Sequence, residues 1–190
     1  MSESKGMPPR ATPDDYQAKA QAGAVTVAAE FMEHSVPTPQ AIYSTEDYVV
    51  VEAALFGPPE ARTRLSSGDF SLRINDNKKP LPSQPYEFVA RSLKDPEWAP
   101  PTEDKSKSQT GISSGKKDTG EPPLAVVHMP IERQLAMEQH VKNAVLLGGD
   151  RALPQAGLLF FEYRGKAKNI NSVELIYTGP TGKATLTLQP

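Results

Sequence analysis

The sequence predicts a mainly β fold, an antiparallel β-sandwich of about seven short strands. Three observations carry this expectation. Apolar residues alternate with polar ones, or run in β-branched blocks, over residues 25–32, 48–56, 70–74 and 173–188. The densest apolar run, Leu158, Leu159, Phe160 and Phe161, follows a turn marked by Pro154 and Gly157. Nineteen prolines and thirteen glycines lie mostly between such segments, which favours short elements joined by turns. A partly open barrel is the competing architecture.

Taken in order, residues 1–11 are polar and proline-rich and read as a mobile lead-in. Thr12, Pro13, Asp14 and Asp15 make a helix start: a hydroxyl cap, proline at the first position, acids in the first turn. Residues 16–22 are good helix formers and Gly23 is placed to stop them. The expectation is a mobile segment over 1–23 with a short N-terminal helix, then a single domain over 24–190. Val25, Val27, Ala29 and Phe31 give the first strand one apolar face, and Pro37 and Pro39 end it. Ile42 and Tyr43 add a brief extended piece.

Residues 48–56 form a second strand that is apolar on both sides: Val49, Val51 and Leu55 on one, Val50, Ala54 and Phe56 on the other, with Glu52 among them. Gly57 and Pro58 terminate it. Phe70, Leu72 and Ile74 alternate with Ser71 and Arg73, and residues 86–89 read as a further short strand. Residues 92–123 are rich in Ser, Pro, Lys and acids, too polar to offset the entropy of ordering, and read as a flexible insertion. Its only large ring, Trp98, is the candidate contact to a partner or to the sheets.

Residues 131–147 read as an inserted amphipathic helix with Leu135, Met137, Val141, Ala144 and Val145 on its apolar face, closed by Gly148 and Gly149. The run 158–161 reads as a central strand buried on both faces. A closing hairpin follows, its turn marked by Gly179 and Gly182.

Composition narrows the function classes. A net charge of −2 with scattered Lys and Arg gives no electrostatic footprint for nucleic acid. The absence of cysteine removes disulfides, thiolate catalysis and Cys-ligated metals. No run approaches the roughly 18 apolar residues of a membrane span, and the first ten residues carry no apolar leader.

Sites of chemistry are sparse. The three histidines, His34, His128 and His140, have no ligand spacing. Glu30, Glu33 and His34 read as a solvated strand end, since adjacent strand residues point to opposite faces. Residues 75–77 lack the glycine and distal glutamate of a calcium loop and read as a turn. The stretch from Gly179 to Lys183 lacks phosphate-loop spacing and joins two strands. Asp14, Asp15, Glu30, Glu33, Glu46, Asp47 and Glu52 offer carboxylates without distinguishing one pair from another. No catalytic, cofactor-binding or metal residue is assigned, and no cofactor is expected.

The order of the valine-rich strand 48–56, the alternating 69–75, the passage through Pro154 and Gly157 to Phe161, and the terminal hairpin resembles small immunoglobulin-like domains of uncharacterised bacterial envelope proteins. The resemblance covers residues 25–90 and 150–190; the insertion and the helix depart from the compact pattern. It implies an immunoglobulin-like sandwich exported to the periplasm or envelope, its signal peptide not among these residues. It also implies a non-enzymatic binding or structural role, toward another protein or a surface ligand. The alternatives are a cytoplasmic interaction module and a hydrolase or metal-dependent enzyme on a sandwich scaffold.

Overall fold

The computed structural model describes residues 7–98 and 129–190. The protein is mainly β, with antiparallel sheets and thirteen strands among the described residues. One four-stranded sheet has the spatial order β1 (Ala18–Ala22), β2 (Val25–Phe31), β5 (Tyr48–Phe56), β11 (Gln155–Glu162). A second has the order β13 (Gly182–Leu188), β12 (Val173–Gly179), β7 (Phe70–Ile74), β8 (Leu81–Pro82). Val27, Val51, Leu55, Leu159 and Phe161 from the first sheet share a buried apolar cluster with Phe70, Leu72, Leu175, Tyr177 and Leu186 from the second. Period-two alternation puts these residues on the facing sides. Among the described residues no continuous ladder joins the two sheets, so the barrel expectation is not met.

The other face of β5 and β11 is buried too. Val50, Leu158 and Phe160 pack with Met137 and Val141 of a helix, and with Val36, Tyr43 and Val89 of a smaller layer. That layer is the sheet β3 (Ser35–Pro37), β4 (Ile42–Thr45), β9 (Leu93–Lys94), with the one-turn helix α1 (Tyr86–Val89) beside it. The covering helix is α2 (Ile131–Ala144). A ribbon of β6 (Arg62–Leu65) and β10 (Gly149–Ala152) completes the strands.

Strand pairing overrides local preference in several places. The N-terminal helix is only a 3-10 turn at Pro13–Asp15, where the Asp15 carboxylate accepts from the Thr12 N–H at 3.1 Å. Residues 18–22 instead form β1, because the alternation of Ala18, Ala20 and Ala22 with Lys19 and Gln21 fits a hairpin to β2. Gly23, at φ 66, makes the tight connection rather than stopping a helix. Residues 86–89 are helical, not extended: Val89 is buried while Phe88 faces out. Of the expected flexible insertion over 92–123, Leu93 and Lys94 form β9 on β4, and residues 99–123 lie outside the described residues.

Three further readings change in detail. α2 ends at Ala144, because the Leu146 N–H donates to the Leu158 carbonyl at 3.1 Å and draws the chain into extended form. Leu135 is 58% exposed, since two residues from Met137 is about 200° around a helix. β11 is buried on both faces but ends the sheet order, whose interior strands are β2 and β5.

Candidate functional site

A depression of about 360 Å³ opens where three connections meet. The β4–β5 turn supplies Glu46 and Asp47, the start of β5 supplies Tyr48, and the segment from α1 to β9 supplies Phe88, Arg91, Ser92 and Lys94. Arg164 arrives from the loop after β11. The geometry follows from local sequence. Val89 anchors α1 in the core, so Phe88 and Arg91, three residues apart, share the face turned outward. Ser92 fixes this segment: its hydroxyl donates to the Val89 carbonyl at 3.1 Å and lies 2.6 Å from the Thr45 hydroxyl.

The charges here are mostly paired. Lys94 meets Glu46 at 2.9 Å, and Arg164 lies 3.8 Å from Asp47 and 3.9 Å from Glu162. Among the described residues Arg91 has no ion-pair partner. Phe88 is 55% exposed beside it. Burial, aided by the charges of Glu162 and Asp47, pushes the Tyr48 phenol up and keeps it a neutral hydroxyl. The rim therefore offers an apolar ring, a guanidinium and a neutral hydroxyl.

His34 supports this depression from behind. It is half-buried, with Nδ1 at 2.7 Å from the Tyr48 carbonyl and Nε2 at 2.8 Å from the Gly165 carbonyl. It ties the start of β5 to the loop that carries Arg164. The reading of Glu30, Glu33 and His34 as a solvated strand end holds only for Glu33, which is exposed in a turn at φ 57.

A second polar constellation lies on the outer face of the β1–β2–β5–β11 sheet. Glu30 and Glu52 face each other across β2 and β5. The Arg10 guanidinium reaches both, at 2.7 Å and 3.1 Å. Glu52 is only 3% exposed, and its burial pushes its carboxyl up, with Arg10 acting against that. Arg10 has no distinguishing neighbours in sequence; its partners come from twenty and forty-two residues away. Only the buried acid Glu52 inside an apolar strand hinted at this site.

The remaining candidates are not brought together. Trp98 is half-buried just past β9, its backbone N–H donating to the Asp95 carbonyl at 3.0 Å, and it is not among the eight residues that line the depression. His140 pairs with the Tyr43 hydroxyl at 2.8 Å and helps seat α2; His128 lies outside the described residues. Asn75 spends its side chain on the Asn171 and Ser172 N–H groups and the Asn169 carbonyl. Gly179 and Gly182 flank the hairpin turn. Among the described residues no three His, Asp or Glu side chains group as metal ligands. No helix of the described residues is long and apolar enough to cross a membrane.

No family model matches the chain, and no curated protein or solved structure matches it.

Proposed function

We propose that the chain is a non-enzymatic immunoglobulin-like β-sandwich module that binds another protein through the depression around Phe88 and Arg91. The observation that carries this is an exposed aromatic ring beside an arginine without an ion-pair partner among the described residues, in a walled site. Aromatic and arginine side chains are the residue types that dominate binding surfaces. The complementary occupant is a peptide segment with an apolar side chain next to a carboxylate: the ring takes the first and Arg91 the second. The two facing antiparallel sheets support the immunoglobulin-like sandwich among mainly β folds. The same resemblance to envelope domains supports export; fractionation of cells expressing the native gene decides between envelope and cytoplasm.

Selection from a displayed peptide library against the full chain tests the binding site. Enriched peptides should pair an acid with a neighbouring apolar residue. They should lose about tenfold in affinity to Phe88→Ala and to Arg91→Ala, each change removing roughly 1.4 kcal/mol. Enrichment that ignores both substitutions would place the binding surface elsewhere.

A further inference from the structure

Residues 7–16 lie as a strap across the outer face of the β1–β2–β5–β11 sheet. Met7 bridges to Ala156 at the edge of β11 that faces away from β5. The Arg10 guanidinium spans Glu30 and Glu52, donates to the Asp15 carbonyl at 2.6 Å, and sits 4.6 Å over the Tyr16 ring. Tyr16 is buried, and its hydroxyl accepts from the Arg10 N–H at 3.0 Å. Below it stand Ala28, Ala54 and Ala156, in register across β2, β5 and β11.

This floor has two rows of unlike chemistry. The alanine row leaves a shallow recess that one aromatic ring fills. The next row sets Glu30 opposite Glu52, a like-charge pair that repels unless a cation lies between them. Neither row is what the sheet would need for its own packing; together they match an arginine and a tyrosine six residues apart. Pro8, Pro9 and Pro13 restrict the strap before it docks, which lowers the ordering cost. Floor and strap are separate parts of the chain, joined only through Gln17 and β1.

We propose that this floor is a docking site for an extended arginine–tyrosine segment, and that its occupant in trans is the same strap from a second copy of this chain. Each copy would then seat residues 7–16 on its partner. Such an exchange creates no new contact, because every ion pair and apolar contact is the one already made within the chain. In a single copy the short tether supplies an effective strap concentration in the millimolar range, so the closed monomer prevails in dilute solution. This inference is independent of the depression at Phe88.

Complementation between two full-length variants tests it. In one, Arg10→Ala with Tyr16→Ala removes the strap's anchors and leaves the floor intact. In the other, Glu30→Arg places a guanidinium beside Glu52 and blocks the floor, leaving the strap intact. Each variant alone should sediment as a monomer, whereas an equimolar mixture should form a 1:1 dimer. Its dissociation constant should lie at least about tenfold below that of either variant's self-association. A mixture that stays monomeric while both variants show native thermal transitions overturns the proposal. Should the double substitution fail to fold, Arg10→Ala alone replaces it. A labelled peptide of residues 7–17 then serves as the probe: it should bind this variant and not one that also carries Glu30→Arg, and equal binding to both, or to neither, overturns the docking site.

Discussion

At the scale of single residues, Gly157 is tightly constrained. It lies inside β11, and a β-carbon there would collide with the backbone of Val145 and Leu146, where the chain leaving α2 crosses the strand. Backbone, unlike a side-chain tip, cannot turn aside, so Gly157→Ala should cost about 3 kcal/mol or more in urea denaturation. A loss under about 1 kcal/mol would mean the crossing yields. The same glycine reads as a turn marker in sequence, because a close approach leaves no local signature. Glu52 gives a second test, by pH. Its carboxyl sits above its ordinary value of 4.5 through burial, while Arg10 draws it back. A carboxyl raised in the fold binds more protons there than when unfolded. Its contribution is therefore fully present below the unfolded value and declines as pH rises through the folded one. Arg10→Ala raises the folded value further, so it should cost about 2 kcal/mol more at pH 7 than at pH 4.5. Adding Glu52→Gln should remove that difference. Equal losses at both pH values would show that Arg10 acts by packing on Tyr16 instead.

At the scale of elements, α2 is held by three unlike contacts: Tyr43 to His140, the Tyr86 hydroxyl to the Glu138 carbonyl at 2.8 Å, and Arg133 to Asp95 at 2.8 Å. Its apolar stripe is Met137, Val141 and Ala144. Val141→Ala should cost about 2 kcal/mol, and Leu135→Ala no more than about 0.5 kcal/mol, in chemical denaturation. Comparable losses would mean that Leu135 packs against something. Strands 48–56 and 70–74 were legible to the residue, the first as a β-branched run apolar on both faces and the second by period-two alternation that matches its burial. β1, β6 and β10 were not. Ala18–Ala22 is made of helix formers, and only the hairpin partner in β2 sets its conformation. Arg62–Leu65 and Gly149–Ala152 carry little apolar surface and exist as strands by pairing with each other. The candidate binding site was illegible for a related reason. Phe88, Arg91 and Arg164 become neighbours only through α1 and the loop after β11, and residues 86–89 read locally as extended.

At the scale of the whole molecule, the two described stretches are interleaved rather than side by side. β5 pairs with β11, β7 with β12, and β6 with β10, so every one of these ladders joins residues before 98 to residues after 129. The facing core is shared in the same way, with Val51 and Leu72 from one stretch against Phe161 and Leu175 from the other. Neither stretch therefore holds a closed apolar layer alone. The first would expose Val50, Val51 and Leu55 of β5, and the second would be left with a hairpin, two unpaired strands and a helix. Isolated hairpins are marginal in water, and each buried Leu or Phe exposed would forfeit about 1.5–3 kcal/mol. Yet the described ladders need no covalent link between 98 and 129 to form. Residues 1–110 and 111–190, expressed together as separate chains, should thus assemble into a 1:1 complex with the circular dichroism of the intact protein. Each expressed alone should be unfolded or aggregated. Assembly should be slow, on the millisecond-to-second scale or longer, because the ladders β5–β11, β7–β12 and β6–β10 all form between the two fragments. A first fragment that folds by itself, with protected amides in β5, would refute the shared core and divide the molecule at residue 98.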